Sequence, residues 1–159
     1  MSFHKNYSKW EHLSRKENCP VCKNLPMPEG MADIIELPYT WLDAEPIECL
    51  KGACHVTAKF HAIELYEFND EQLLGIMKEV QLYAKALKNV TNAVKINYEI
   101  HGNTIPHFHI HLYPRYMEDP FPGQAIDYNK KNSNLYKDGE FDEFVKNMRK
   151  ELDSKEARS

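Results

Sequence analysis

Residues 107–112, HFHIHL, alternate a histidine with an apolar residue at every step. Strict period-two alternation is the pattern of a β-strand with one buried face. Alternate side chains on a strand share a face and sit about 6.5–7 Å apart. A strand over 107–113 therefore lines one face with His107, His109 and His111 and turns Phe108, Ile110 and Leu112 to the other. A chain that buries the apolar row must leave three imidazoles together on the opposite surface. That constraint organises the rest of the chain.

The other elements are read around this strand. "MADIIEL" (31–37) and "YTWLD" (39–43) are strand candidates separated by Pro38, and "GACHVTAKF" (52–60) is a strand rich in β-formers. Asn69 as cap, with Gln72 three residues on, opens a helix over about 70–89. Its apolar stripe is Leu73, Met77, Val80, Ala84 and Leu87. "AVKINYEI" (93–100) is a further strand, and the turn "HGNT" leads into the triad segment. A short helix around Tyr7–Leu13 packs through Trp10. "PRYMEDPFPG" reads as a loop. A last helix over about 139–152 carries Phe141, Phe144, Val145, Met148 and Leu152 on one face, with Asp138 as its cap. Strands come in runs rather than in strict alternation with helices, so the fold class is α+β with an antiparallel sheet.

At 159 residues the chain makes one domain. We expect an N-terminal extension over 1–18, a main domain over 19–126 and a C-terminal segment with a helix over 127–159. The net charge of −4 argues against a nucleic-acid polymer or an anionic membrane as partner. A small polyanionic ligand stays open, because local groups hold phosphate even on an acidic protein. No apolar run approaches the roughly 18–20 residues that span a bilayer. The first residues lack the apolar core of a signal peptide, and four cysteines at irregular spacing do not make a disulfide framework. The expected compartment is the reducing cytoplasm.

Two chemistries suit three imidazoles on one strand. They can bind a metal, imidazole being a good zinc ligand, although alternate residues of one strand converge on a point less readily than ligands from separate strands. Alternatively the central imidazole is a nucleophile towards phosphorus, its neighbours stabilising charge on the phosphoryl oxygens. Histidine suits that work because it titrates near neutrality. Upstream, "CPVC" (19–22) is half of many zinc sites, or two free thiols in a turn. A thioredoxin-like role fits poorly, since polar sequence precedes it and "KNLPMPEG" follows. Cys49 and Cys54 read as ordinary buried or loop residues.

"HFHIHLYPR", with "GNT" (102–104) before it and "GACHVTAKFH" ahead of a long helix, resembles the histidine triad family from about Cys19 to Gly123. Members are nucleotide hydrolases and nucleotidyltransferases that act at the α-phosphate, and they usually pair as homodimers. The resemblance implies that His109 is the nucleophile and that His111 hydrogen-bonds the phosphate or the backbone orienting it. It implies phosphate-oxygen contacts from Asn103 and Thr104, where relatives often carry Gln and Ser or Thr. Asn103 also reads as a left-handed turn residue after Gly102. Arg115 reaches a distal phosphate, or else is solvated or paired with a carboxylate, and Asn97 is a weaker candidate. The zinc-bearing branch implies a closed structural site of Cys19, Cys22, His61 and His107. On that reading the three histidines divide their work between metal and phosphorus.

There are departures from the family pattern. Gly52-Ala53 stands where relatives have Gly-His, and Ala58 where they have Pro before Lys59; His55 shares the strand parity of position 53. The nucleoside base is expected against Ile34, Ile35, Leu37 or Trp41, each of which is otherwise core. The expected reaction is hydrolysis of a dinucleoside polyphosphate or a nucleoside phosphoramidate. Transfer to another acceptor, a metal-dependent hydrolase and a non-catalytic nucleotide-binding protein are the alternatives.

Overall fold

The structure is a computed structural model that describes residues 3–25 and 29–156. Pro26 and Pro28 of "KNLPMPEG", and the outermost residues of the expected 1–18 and 127–159 segments, lie outside the described residues. The helices are α1 (Tyr7–Leu13), α2 (Asp70–Thr91) and α3 (Glu140–Glu156). The strands are β1 (Ala32–Glu36), β2 (Thr40–Ala44), β3 (Cys54–Ala58), β4 (Lys95–Ile100) and β5 (His109–Arg115). All five form one antiparallel sheet in the order β1-β2-β3-β5-β4. The α+β expectation therefore holds.

One face of the sheet is apolar. Leu42, Ala44, Cys54, Val56, Ile96, Ile110 and Leu112 bury against Ile76, Val80, Tyr83 and Leu87 of α2 and Val145, Met148 and Leu152 of α3. Burial of a side chain of this size contributes roughly 1.5–3 kcal/mol each, so this layer supplies the main driving force. Asn69 and Gln72 close a capping box at the start of α2, each accepting from the other's backbone N–H.

The buried stripe of α2 differs from the spacing-based expectation. Met77 is 40% exposed, whereas Ile76, Glu79 and Tyr83 are buried. The helix is rotated because β2 offers polar partners to a carboxylate. Glu79 Oε1 accepts the Tyr39 N–H at 3.0 Å, and Glu79 Oε2 accepts the Thr40 hydroxyl at 2.6 Å. The Tyr83 hydroxyl lies 2.8 Å from Thr40 Oγ1. A hydrogen-bonded Glu and Tyr thus take positions that an apolar count assigns to Met77. Burial still raises the pKa of Glu79 above the ordinary carboxylate value. Close packing at the other end of this contact requires Gly75, where a Cβ would meet the Tyr39 ring at 2.6 Å.

The triad strand is displaced by two residues. It runs over His109–Arg115 rather than 107–113, so Pro114 and Arg115 are strand residues and not loop. Pro114 is tolerated because β3 pairs with β5 only as far as Cys54↔Leu112, leaving Pro114 opposite Ile96 of β4 alone. His107 precedes the strand and takes a different direction from its two successors.

Candidate active site and metal centre

The antiparallel register puts one row of titratable side chains across four strands. Asp43 of β2 faces His55 of β3, which faces His111 of β5, which faces Glu99 of β4. The next row along contains Trp41, Thr57 and His109. Residues two apart share a face, so this is the surface opposite the apolar core, and the histidines at 109 and 111 do emerge together. Their ring centroids are 5.0 Å apart.

His109 Nδ1 lies 2.7 Å from the carbonyl oxygen of His107. A carbonyl only accepts, so Nδ1 carries the proton and donates it. Nε2 then keeps its lone pair. Burial holds the pKa of His109 below its ordinary value and favours this neutral form. His111 is pushed further, to about 3, by burial and by the charge of His55. Tyr113 stacks on the His111 ring with an interplanar angle of 2°, its hydroxyl 3.5 Å from His111 Nδ1.

His55 has a different environment. Its Nδ1 lies 3.1 Å from Asp43 Oδ1 and its Nε2 3.1 Å from Glu48 Oε1. With a carboxylate at each nitrogen the ring is a doubly protonated imidazolium, and these partners raise its pKa to about 9 although burial opposes the charge. Its ring meets that of His111 edge-on at 4.9 Å. Glu48 is fully buried, and despite that burial the same hydrogen bond and charge, with Lys131, hold its pKa down at about 2.

His107 turns away from this face towards the N-terminal segment. Cys19 Sγ lies 3.3 Å from His107 Nδ1, and Cys22 Sγ lies 3.3 Å from His61 Nδ1 and 3.8 Å from His107 Nδ1. The four donor atoms are all within 4.8 Å of one another. Tetrahedral zinc with bonds of 2.3 Å to sulfur and 2.0–2.1 Å to nitrogen requires a sulfur–nitrogen separation of about 3.6 Å. The tautomers agree as well. His107 Nε2 donates to Ala58 O at 2.8 Å and His61 Nε2 donates to Ser14 O at 2.9 Å, so both Nδ1 atoms face the cysteines with lone pairs. The residues present fit zinc. Burial, reinforced by Cys19, pushes the Cys22 thiol up to about 11, a cost that a bound cation would reverse. The same segment reaches the loop before β5, since Trp10 Nε1 donates to Gly102 O at 3.0 Å.

Other expected residues are placed less favourably. Asn103 and Thr104 sit on the exposed approach loop, and neither side chain has a hydrogen-bond partner among the described residues. The left-handed conformation there belongs to Gly102, with φ +65°, and not to Asn103. Arg115 is locked: Nε and Nη2 grip Asp119 at 2.6 and 2.9 Å, and the guanidinium also donates to the carbonyls of Phe121 and Gln124. It is a carboxylate-paired arginine that orders the loop after β5. Asn97 accepts from Lys95 Nζ at 3.1 Å. Ile34 and Leu37 are core residues, and Ile35 packs against that core. Of the residues proposed for the base, Trp41 alone shares a sheet row with His109, with Lys59 Nζ 5.4 Å from its ring. A cleft of about 620 Å³ lined by Lys51, Thr91, Tyr116, Phe121 and Tyr136 contains none of the triad histidines. His109 and His111 lie on the open sheet face.

Sequence reasoning missed Asp43 and Glu48. Asp43 was accessible through strand parity with His55; Glu48 lies in the connection before β3, and nothing local marks it.

Comparison with known proteins agrees with this geometry. The HIT domain family model matches residues 36–118. Protein hit of Bacillus subtilis (strain 168) is 29% identical over 105 residues, covering 63% of this chain and 72% of that protein. Among solved structures, a zinc-bound histidine triad family protein from Mycobacterium smegmatis superposes with a TM-score of 0.65 at 19% identity, covering 91% of this chain and 100% of that one. The diadenosine triphosphate hydrolase of Plasmodium falciparum superposes with a TM-score of 0.61 at 16% identity, covering 81% and 80% of the two chains. The family match spans more than half the residues and includes the strand that carries His109 and His111, and by it this chain belongs to the HIT domain family.

Proposed function

We propose that the protein is a nucleotide hydrolase that cleaves at the α-phosphate of a dinucleoside polyphosphate or a nucleoside phosphoramidate through a nucleotidyl-histidine at His109. The observation that carries this reading is the 2.7 Å hydrogen bond from His109 Nδ1 to His107 O, which leaves Nε2 as a fixed, unprotonated nucleophile. Nε2 attacks the α-phosphorus, a P–N bond forms, and the bond to the leaving group breaks with its electron pair going to that group. Water then attacks the same phosphorus, releases the nucleoside monophosphate and returns the electron pair to Nε2. Neutral His111 beside it offers hydrogen bonding to a phosphoryl oxygen. Asn103 and Thr104, exposed and without hydrogen-bond partners among the described residues, are available to the remaining oxygens. Membership of the family and likeness to a diadenosine triphosphate hydrolase support the substrate class.

We further propose that zinc occupies the Cys19, Cys22, His61 and His107 set. When bound it supplies a rigid tie between the N-terminal segment and the residue preceding the catalytic strand. Edge strand β4, with Tyr98 and Ile100 about half exposed, supports a homodimer built across that edge. Four free cysteines support a reducing, cytoplasmic setting, and no helix among the described residues is long and apolar enough to cross a membrane. Residues 19–126 are the proposed catalytic unit, with 1–18 and 127–159 as additions to it.

The test is release of nucleoside monophosphate from diadenosine tetraphosphate and from an adenosine phosphoramidate, in wild type and His109→Ala. Loss of about 10³-fold or more in the variant is the expected result. A loss near tenfold would reduce His109 to a helper, and turnover of neither substrate would sink the hydrolase reading. Product analysis with candidate acceptors separates hydrolysis from transfer, and tight nucleotide binding unchanged by the substitution would favour a binding protein.

A further inference from the structure

We propose that Glu48, His55 and His111 form a second divalent-metal site, separate from the cysteine-containing set, that takes a zinc-class cation and leaves one coordination position open. One donor atom from each lies within 4.8 Å of the other two. Glu48 Oε1 and His55 Nε2 are 3.1 Å apart, close to the separation of about 3.4 Å that tetrahedral zinc with N and O ligands requires. Two imidazoles and one carboxylate from three different segments, with a fourth position free, is the donor set of catalytic rather than structural zinc sites. The mixture of nitrogen and oxygen donors selects transition cations over calcium or magnesium.

The supports behind the three donors are already in place. Metal-bound histidines hold their second nitrogen against a carboxylate or another acceptor. His55 Nδ1 rests on Asp43, and His111 Nδ1 has the Tyr113 hydroxyl at 3.5 Å, which leaves Nε2 of each ring for an ion. Glu48 is fixed through its other oxygen, Oε2, which accepts the Cys49 N–H at 3.0 Å. The side chains of Glu48, Asp43 and His55 are 0%, 7% and 12% exposed, so their geometry is set by the fold and not by solvent. The ion would replace the proton between His55 and Glu48. It would also displace the Lys131 ammonium, now 3.1 Å from Glu48 Oε1, which can retreat onto its other partner, Glu45. Lys131 is thus a built-in competitor for the site, and removing its charge should strengthen metal binding.

Cobalt(II) titration of the full chain tests this. Cobalt held by Cys19 and Cys22 gives an intense thiolate charge-transfer band, whereas cobalt on Glu48, His55 and His111 gives only weak visible bands. We expect binding that adds no thiolate band, is weakened about tenfold or more in Glu48→Gln and is tightened in Lys131→Gln. Thiolate-linked binding should be unchanged in both variants. Binding that always carries the thiolate band, or thiolate-free binding indifferent to both substitutions, overturns the proposal. If Glu48→Gln folds poorly, Lys131→Gln carries the test alone, and unchanged affinity there is a refutation. Failure of the cysteine set would appear separately, as absence of the thiolate band. An ion on His111 Nε2 would compete with the phosphoryl contact proposed for that ring, so the titration is run without nucleotide and does not depend on turnover.

Discussion

Substituting His55 tests the charged cluster directly, because its effect on stability must depend on pH with a definite sign. His55 sits between Asp43 and Glu48 at 3.1 Å on both sides, and its pKa is raised from 6.5 to about 9. A group whose pKa is raised on folding contributes its full stabilisation below its unfolded value and loses it as the pH climbs to the folded value. The window is therefore pH 6.5 to 9, and the rise corresponds to about 3 kcal/mol. At the acid end the same contact appears through Glu48, lowered from 4.5 to about 2, so that its contribution is lost as the pH falls through that range. It is one interaction seen from its two ends, and the two figures are not added.

The experiment is urea unfolding of wild type and His55→Gln, followed by tryptophan fluorescence in buffers kept free of added divalent ions, from pH 6.5 to 9. Taking the difference removes groups remote from His55, which titrate alike in both proteins. The variant leaves Asp43 and Glu48 without their imidazolium and is the less stable at pH 6.5. The gap then narrows towards pH 9 by about 3 kcal/mol, at no more than about 1.4 kcal/mol per pH unit. A gap constant to within about 0.5 kcal/mol would refute the reasoning. It would mean that His55 is neutral in the folded protein and that one of its carboxylates holds the proton instead.

Gly52→Ala should cost about 2–4 kcal/mol in urea unfolding, because Gly52 has φ +78° and a Cβ there would lie 2.7 Å from Thr91 Cγ2 and 3.1 Å from Pro114 Cγ. A cost below about 0.5 kcal/mol would show that the turn before β3 relaxes freely. If zinc fills the cysteine set as proposed, chelation should lower the melting temperature and open the chain around Cys19 and Cys22 to protease, since the metal would tie that segment to His61 and His107. A chelator that changes neither would remove zinc from the structural account. Ile100→Asp, on the outer strand β4, should convert a homodimer to monomer in analytical ultracentrifugation without unfolding the chain; a dimer that persists places the interface elsewhere.

Parts of this architecture are local in the sequence and parts are not. The parity of His109 and His111, the capped start of α2 and the apolar face of α3 depend on neighbours within a few residues, and all were legible. The buried face of α2 was misread at Met77, because Glu79 is buried only through partners on Tyr39 and Thr40, some forty residues earlier. Arg115 was ambiguous for the converse reason. Its partner Asp119 is just four residues away, but pairing depends on how the intervening loop folds back. Glu48 was invisible. It lies outside the named strands, held by an isolated bridge to Asn132, and reaches the site because the connection before β3 places it beside a histidine whose other neighbour, Asp43, comes from β2.

The two-residue displacement of the triad strand explains how one short motif serves two sites. Were residues 107–113 a regular strand, His107 would share the face of His109 and His111, and its ring would crowd the nucleophile. Instead the chain bends at His107, and regular pairing begins only at Thr57↔His109. His107 is thereby freed to point at Cys19, while its own carbonyl turns to His109 Nδ1. The side chain faces the proposed zinc set and the backbone fixes the tautomer of the proposed nucleophile. A disturbance of the cysteine set therefore reaches His109 through a single residue, without a rearrangement of the sheet. If both proposals hold, losing zinc should act on catalysis through the protonation of His109 and not only through stability. In the hydrolase assay this would appear as a shifted acid limb of the pH–rate profile in the metal-stripped protein, and an unshifted limb with a uniformly lower rate would contradict the link.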